Sequence, residues 1–311
     1  MIKIPYFEKD NLRLYYEDVG QGEPIITNHG LLEDGTYWSE TGVTARLAEE
    51  YRVISIDMRG HGRTEIDGEP YGFNAETMAQ DFDDLADFLG IDKFHLLTHA
   101  TGGMVGAWYG MTRSERLISL MLTDTSSNTL IEQPDYREFT EEEKAQREMG
   151  RKMWENASEE QKEEMRKTMW AAEEKVTVEE WMAGIRSEPG PYLFKMLEHP
   201  NSEAMLKIYE GFIRKLADRR ANFIFRHSFY TDPDPHVDLL RQVKCPTLVL
   251  IGEFDIVFLK PSEIMPREIP DARHVIMEGL GHMTAIEDPE RTIAELLDFL
   301  HTVKETGKAS R

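Results

Sequence analysis

Residues 94–106 read FHLLTHATGGMVG, which is an apolar run, a turn with two adjacent glycines and the start of a second apolar segment. The first run predicts a β-strand and the second a helix. The small residues Thr98 and Gly102 stand two positions before and two positions after Ala100. A nucleophile elbow needs this spacing, because its central side chain projects from a strained turn and small neighbours let strand and helix approach. The stretch therefore predicts an elbow that carries alanine where the reactive side chain belongs.

The sequence on both sides of this turn alternates short apolar runs with segments of helical period. Strands separated by helices of this length are typical of βαβ units and a parallel sheet. We therefore expect an α/β fold, with a mostly parallel, doubly wound sheet and helices on both faces. The predicted strands are Leu12–Tyr16, Ile25–Thr27, Val53–Asp57, Phe94–Thr98, Leu117–Thr123, Thr247–Ile251 and Arg273–Met277.

The chain changes character between its two α/β segments. From Glu132 to Asp238 no strand-like run interrupts the helical patterns, and about a hundred residues are more than an ordinary loop contains. We expect residues 1–126 and 240–311 to form a core domain, and residues 127–239 to form a helical cap, or lid, inserted after the sixth strand. Three cap helices begin with capping-box patterns, namely Thr140 with Glu143, Ser158 with Gln161, and Thr177 with Glu180.

The composition excludes several classes of protein. The 311 residues contain 36 Lys and Arg against 58 Asp and Glu, a net charge of −22, which nucleic acids and anionic membranes would repel. No stretch is apolar over the ~20 residues of a membrane span, and the N-terminus shows no apolar leader. Cys245 is the single cysteine, which excludes an internal disulfide and a cysteine-built zinc site. We expect a soluble, cytoplasmic protein.

Five short motifs, in this order and spacing, resemble those of the α/β-hydrolase family, in particular its cap-bearing esterase, lactonase and dehalogenase branch. The resemblance runs from about residue 10 to 126 and from 240 to 303, and it implies the α/β-hydrolase fold. The first motif, His29-Gly30, is similar to the oxyanion loop, and the second, DMRGHGRT at residues 57–64, is similar to D-x-R-G-x-G-x-S. The third is the elbow, and the fourth, GEFD at residues 252–255, is similar to the acid loop. The fifth is Gly281-His282 with Glu287, Pro289 and Glu290, which is similar to the histidine loop and the helix after it.

The resemblance assigns roles to individual residues. It implies that His282 is the general base and that Asp255 is the carboxylate that orients it. Chain order nucleophile, acid, histidine is the order that this fold uses. The backbone N–H groups of Leu31 and Thr101 would form the oxyanion hole. Asp124, at the end of a predicted strand, is the alternative acid.

Ala100 departs from the family pattern, which has Ser at this position, or Asp in the dehalogenase and epoxide-hydrolase branches. A methyl group can neither attack a carbonyl nor donate a proton. The chain is therefore an engineered Ser→Ala variant, a natural pseudo-enzyme that binds a ligand, or an enzyme in which His282 and Asp255 activate water directly. We favour the first explanation, because the remaining motifs are intact and the elbow differs from His-Ser-Thr-Gly-Gly by one atom. We expect the chain with Ala100 to be inactive.

The expected partner is a hydrophobic ester or lactone, and the aromatic and methionine content of the cap favours a bulky ester or a macrocyclic or acyl lactone over a small charged substrate. A stripe of methionine and tryptophan side chains is more often the cap's own core than a pocket wall, although some of it must face the cleft if the insertion is a lid. No cofactor is implied, and no metal site is expected, because His29, His61 and His99 are not at ligand spacing. The residues predicted to contact substrate are His29, Gly30, Trp38, Met153, Trp154 and Trp181.

Two alternative functions remain open at this point. The same triad and cap could hydrolyse a carbon–carbon bond in a vinylogous diketone. A catalytically dead ligand-binding receptor on a hydrolase scaffold would explain Ala100 as a natural residue. Dehalogenation is disfavoured, because it requires Asp at position 100. The oligomeric state, including a homodimer, is also left open by the sequence.

Overall fold

The computed structural model describes residues 6–127, 135–231 and 236–310 of the chain. Their strands are β1 (Tyr6–Lys9), β2 (Leu12–Gly20), β3 (Pro24–Asn28), β4 (Arg52–Ile56), β5 (Glu65–Ile66), β6 (Phe94–His99), β7 (Leu117–Thr123), β8 (Thr247–Gly252) and β9 (Ala272–Met277). They form one sheet in the order β1-β2-β4-β3-β6-β7-β8-β9, and β5 pairs with β2. From β4 to β9 the neighbouring strands are parallel, whereas β2 pairs antiparallel with β1, β4 and β5. The predicted fold class is confirmed.

The register brings the carboxyl ends of the central strands to one edge of the sheet. Asn28 of β3 pairs with Thr98 of β6, and His99 of β6 pairs with Thr123 of β7. Thr123 in turn pairs with Leu250 of β8. The loops that follow these strands therefore meet, which is where open α/β sheets place their ligand sites.

Helices occupy the connections between strands. In the core they are α1 (Thr36–Glu40), α2 (Val43–Leu47), α3 (Ala75–Phe88), α4 (Ala100–Arg113), α11 (Leu259–Ser262), α12 (Met265–Glu268), α13 (Thr284–Glu287) and α14 (Pro289–Thr306). Between β7 and β8 lie α5 (Glu141–Asn156), α6 (Glu159–Glu173), α7 (Val178–Ser187), α8 (Gly190–Glu198), α9 (Ser202–Lys215) and α10 (Arg219–Ser228), which we call the helical insertion. Short 3₁₀ turns cover Ser114–Arg116, Phe229–Thr231 and Val237–Gln242.

Alternate residues of the strands pack into two hydrophobic clusters. Ile26, Ile54 and Leu96 belong to one cluster. The other cluster contains Ile25, Val53 and Leu97. This division follows from the period of two along a strand, which sends successive side chains to opposite faces of the sheet. Phe212 and Phe225 of the helical insertion join one cluster each, so the insertion is anchored to the core by apolar burial.

The structure departs from the sequence pattern in two strands and agrees with it in the insertion. β1 and β5 are not predicted, because both are short and β1 lies at the edge of the sheet. The insertion follows β7, which is the sixth strand when the two-residue β5 is left out. The three capping boxes are confirmed. The division into core and cap domains stays a prediction, and parts of its boundary, residues 128–134 and 232–235, lie outside the described residues.

Across the described ranges, no helix combines the length and the apolar character needed to traverse a bilayer. Cys245 is buried and unpaired. Burial raises the pKa of its thiol to about 11, against the hydrogen bonds from neighbouring groups. Such a thiol is an inert core residue at neutral pH.

Candidate active site

Ala100 stands at the junction of β6 and α4 with a φ of +49°, a left-handed conformation that non-glycine residues rarely adopt. The two glycines that follow Ala100 are closely packed against neighbouring segments of the chain. A Cβ on Gly102 would lie 2.3 Å from the His29 carbonyl oxygen, and one on Gly103 would lie 2.4 Å from the Thr125 side chain. The predicted elbow geometry is thus present, with a methyl group at its apex.

A cavity of about 370 Å³ opens over this apex. Ala100 and His282 both line it, so the structure brings the predicted nucleophile position and the predicted base together. The lining residues are Leu31, Leu32, Glu33, Ala100, Thr101, Tyr192, Leu193, Tyr209, Arg226, Tyr230, Phe258, His282 and Met283.

His282 is held by a carboxylate and by aromatic neighbours. Its Nδ1 lies 2.8 Å from Oδ2 of Asp255, which is fully buried, and the other oxygen of Asp255 accepts the Phe258 N–H at 3.0 Å. The ring of Phe258 stacks on the imidazole at 5.3 Å, and that of Tyr192 lies 5.0 Å away. This arrangement leaves Nε2 as the nitrogen that can exchange a proton with a group in the cavity.

The loop that carries His282 is ordered by a second buried carboxylate. Glu287 accepts the backbone N–H groups of Gly281 and Met283 at 2.7 and 3.1 Å. Burial raises the pKa of Glu287, and these two hydrogen bonds oppose the rise.

Asp124, the alternative acid, contacts a different histidine. Its Oδ2 lies 3.4 Å from Nδ1 of His99 and accepts the Thr284 hydroxyl at 2.6 Å, while Oδ1 accepts the Gly252 N–H at 3.1 Å. Of the two candidate acids, Asp255 is therefore the one at hydrogen-bond distance from His282.

The predicted oxyanion-hole residues Leu31 and Thr101 both line the cavity beside Ala100. Thr101 lies in the first turn of α4, where backbone N–H groups lack a partner within the helix and carry the positive end of its dipole. Its hydroxyl is hydrogen-bonded to the hydroxyl of Tyr230. The geometry is compatible with an oxyanion hole, and the assignment stays a prediction.

Most residues predicted to contact substrate are not brought to the cavity. Gly30 adjoins it, since a Cβ at Gly30 would lie 2.9 Å from the Ala100 methyl. Trp38 is fully buried and donates to the Asn28 carbonyl, and His29 accepts the Met58 N–H through Nε2. The lining of the cavity does not include Met153, Trp154 or Trp181. Met153 lies on α5 and is 59% exposed.

The physical reason is that helical periodicity identifies residues that share a face, without identifying what that face meets. Five other side chains from the segment between β7 and β8 line the cavity, and three of the five are tyrosines. The five residues are Tyr192, Leu193, Tyr209, Arg226 and Tyr230. None of these five residues belongs to a motif that pointed to the site from sequence.

Glu33 is a further lining residue that was not predicted from sequence. It is buried yet lines the cavity, and its two oxygens lie 2.6 Å from the Gly30 nitrogen and 3.3 Å from Nε2 of His99. Burial would lower the pKa of His99, but the carboxylates of Glu33 and Asp124 raise it to about 10. Burial alone would raise the pKa of Glu33, but the His99 charge holds it below its usual value. A glutamate directly after the uncharged segment His29–Leu32 was the available signal.

Within the ranges that the structure covers, no group of three or more His, Cys, Asp or Glu residues is arranged to hold a metal ion. The side chains that line the cavity include an imidazole, a buried carboxylate, three phenols and the guanidinium of Arg226.

Comparison with known proteins agrees with this geometry. The chain is 26% identical over 310 residues to a proline iminopeptidase of Clostridioides difficile. This alignment covers 95% of the present chain and 97% of the iminopeptidase. A thermophilic esterase from Thermogutta terrifontis superimposes with a TM-score of 0.65 at 25% identity, over 97% of this chain and 98% of that one. The enol-lactonase of Burkholderia xenovorans LB400 shares the fold, with a TM-score of 0.71 at 19% identity over 96% and 100% of the two chains.

Residues 23–289 match the family described as the alpha/beta hydrolase fold, which is most of the chain. The strand-to-helix elbow at the end of β6 is a motif of this fold. This chain belongs to the α/β-hydrolase fold family.

Proposed function

We propose that this protein is a serine-type hydrolase scaffold for a hydrophobic ester or lactone, and that Ala100 is a Ser→Ala change that leaves binding intact and removes turnover. The observation that carries the proposal is that His282, whose Nδ1 lies 2.8 Å from Asp255, faces the same cavity as an elbow with a methyl group at its apex. A histidine oriented in this way has a function when a nucleophile stands beside it.

The reaction proceeds in two stages once serine occupies position 100. The serine Oγ attacks the ester carbonyl while Nε2 of His282 takes the hydroxyl proton, and the negative charge on the carbonyl oxygen is held by the Leu31 and Thr101 amides. Collapse of this intermediate breaks the C–O bond, and the leaving alcohol takes the proton from His282. Water, deprotonated by His282, then attacks the acyl-enzyme. The bond between the acyl carbon and the serine Oγ breaks, the acid leaves, and the serine Oγ takes the proton back from His282.

The substrate class follows from the walls of the cavity. Leucine, methionine and aromatic side chains supply most of the lining, which favours an apolar acyl or lactone ring, and the tyrosine hydroxyls can orient one or two polar atoms. The similarity to a thermophilic esterase over nearly the whole chain also supports an ester substrate. We further propose that residues 127–239 act as a cap that closes this cavity over the core.

The test compares the chain as it stands with Ala100→Ser on aryl esters, lactones and a vinylogous aromatic diketone. We expect serine to raise turnover of at least one ester or lactone by about 10³-fold or more, since residual activity without the nucleophile comes only from binding and the oxyanion hole. Ala100→Ser combined with His282→Gln is the matched control, and it must lose the gain.

Turnover of the diketone alone would identify a carbon–carbon bond hydrolase. Silence of Ala100→Ser on all three classes would refute the hydrolase proposal. Tight binding of an apolar ligand by both forms, without turnover, would then identify a receptor.

A further inference from the structure

We propose that Glu33, His99 and Asp124 form a buried positioning relay that holds the oxyanion loop, the elbow, the acid loop and the histidine loop in mutual register. None of the three is proposed to touch reacting atoms. The inference rests on the proposed function for its kinetic readout only, because the relay itself is present in the chain as it stands.

The first link runs from Glu33 to the oxyanion loop, residues 29–33. Glu33 accepts the Gly30 N–H at 2.6 Å and thereby closes the loop on itself. A Cβ on Gly30 would lie 2.9 Å from both the Glu33 carboxylate and the Ala100 methyl. The loop is thus clamped between the carboxylate and the elbow, and the direction of the Leu31 amide depends on that clamp.

The second link joins this loop to the elbow. The other oxygen of Glu33 lies 3.3 Å from Nε2 of His99, which immediately precedes Ala100. The imidazole is fixed by Tyr37, whose ring stacks on it at 4.3 Å and whose hydroxyl lies 3.4 Å from Nδ1. His99 is fully buried, so its position is set by these partners.

The third link extends to the acid and histidine loops. Nδ1 of His99 lies 3.4 Å from Asp124, which accepts the Gly252 N–H and the Thr284 hydroxyl. Gly252 ends β8 three residues before the acid, and Thr284 follows the base by two residues. Displacing Asp124 would therefore move both members of the His282–Asp255 pair.

Charge balance explains why a protonated imidazole belongs at the centre. The buried carboxylates of Glu33 and Asp124 lie on either side of His99. Without a cation between them, each would be a buried charge with no counter-ion. The other polar groups that face His99 are the Tyr37 and Thr123 hydroxyls and the His282 ring, whose centroid is 5.1 Å away. An imidazolium at His99 supplies the counter-charge for both carboxylates, so removing either Glu33 or His99 breaks the relay.

The kinetic arm uses Glu33→Gln and Asp124→Asn, each in the Ala100→Ser background. Both variants keep the side-chain shape and remove one charge. We expect a 10- to 100-fold loss in kcat with KM changed less than threefold, since a misdirected oxyanion donor weakens the transition state more than the ground state. The matched control is His95→Gln, a buried histidine on the same strand whose Nδ1 lies 2.8 Å from Ser119 and which does not line the cavity.

The spectroscopic arm needs no activity and uses the chain with Ala100. Nitrogen NMR of labelled imidazoles should show His99 doubly protonated from pH 6 to 8.5. Glu33→Gln should make it neutral at pH 8 and shift the His282 resonances, and His95→Gln should leave both unchanged. A neutral His99 in the parent chain, or unchanged His282 resonances in both Glu33→Gln and Asp124→Asn, overturns the relay. If Ala100→Ser is inactive while these spectra are as expected, the proposed function fails and the relay stands.

Discussion

Ala100 adopts a left-handed backbone conformation although its methyl side chain can take no part in catalysis. A φ of +49° at a residue with a Cβ costs on the order of 1–3 kcal/mol and persists where the surroundings enforce it. Here the Thr125 hydroxyl donates to the Ala100 carbonyl at 2.6 Å, and Gly102 donates its N–H to the His29 carbonyl at 3.1 Å. The residues that enforce an elbow are retained although the apex is a methyl group.

The first prediction separates the two candidate acids. In the Ala100→Ser background, Asp255→Asn should lower kcat by about 10⁴-fold, because the amide imposes the wrong tautomer on His282. Asp124→Asn should lower it only 10- to 100-fold, as a positioning residue would. Steady-state kinetics on the preferred ester decides, and a larger loss with Asp124→Asn would make Asp124 the acid.

The second prediction concerns the close approach at Gly102. Gly102→Ala places a Cβ 2.3 Å from the His29 carbonyl oxygen, and a backbone atom cannot yield as a flexible side chain can. We expect a loss of about 1–3 kcal/mol in the free energy of unfolding by urea. Gly150→Ala, in α5 with nothing within 4 Å, is the control and should stabilise by about 0.5–1 kcal/mol. Equal effects of the two variants would contradict this account.

Among the secondary-structure elements, α5 and α6 depend least on tertiary packing. Neither helix contains a buried residue, and Met149 and Met153 are 68% and 59% exposed. Their stability must therefore come largely from local interactions, which here are reciprocal capping boxes and ion pairs between residues three or four apart. Helices of this kind are open to local unfolding.

The third prediction follows for α6. Ser158 accepts the Gln161 N–H at 3.2 Å and donates its own N–H to the Gln161 side chain at 2.8 Å. Ser158→Ala should weaken this helix by about 1 kcal/mol, which corresponds to roughly fivefold faster amide hydrogen exchange along α6. Thr168→Ala removes a mid-helix hydroxyl of α6 that bonds back to Glu164, and it should leave exchange unchanged or slower. Faster exchange in both variants would rule out a capping effect.

For the molecule as a whole, the buried His99 links stability to pH. Its pKa is raised to about 10 in the folded chain, from an ordinary value of 6.5. The stabilisation from the charged imidazole is complete below pH 6.5 and is lost progressively as pH rises toward 10, because the folded state then binds a proton that the unfolded state has released. The slope between these values is up to about 1.4 kcal/mol per pH unit.

The fourth prediction is that the free energy of unfolding of the parent chain falls from pH 7 to 8.5 and that His99→Gln flattens this slope. His95→Gln should leave the slope unchanged, because burial lowers the pKa of His95 to about 4, outside this range. Urea titrations at four pH values are sufficient. A parent chain whose stability is constant over this interval would show that His99 is neutral in the fold.

Local patterns in the sequence were enough for the fold class, the family, the elbow and the three capping boxes, because each depends on a few residues close together in the chain. The cluster of Asp255, His282 and Ala100 at one edge also follows from strand order in such a sheet. The assignments of Met153, Trp154 and Trp181 to the substrate site found no support in the geometry, since a helix pattern does not say which neighbour a face meets.

The sequence favoured Asp255 and left Asp124 as the alternative acid, and the tertiary structure decided which carboxylate meets which histidine. Asp124 and Asp255 both end up at the sheet edge, and only the packed loops place one beside His99 and the other beside His282. Glu33 reaches His99 across 66 positions of sequence, and Tyr230 reaches Thr101 across 129. Contacts between residues so far apart in the chain depend on how the chain packs, whereas helix propensity, capping and turn chemistry act over a few residues. The sequence by itself therefore determined the scaffold, and the three-dimensional structure decided the pairings within the site.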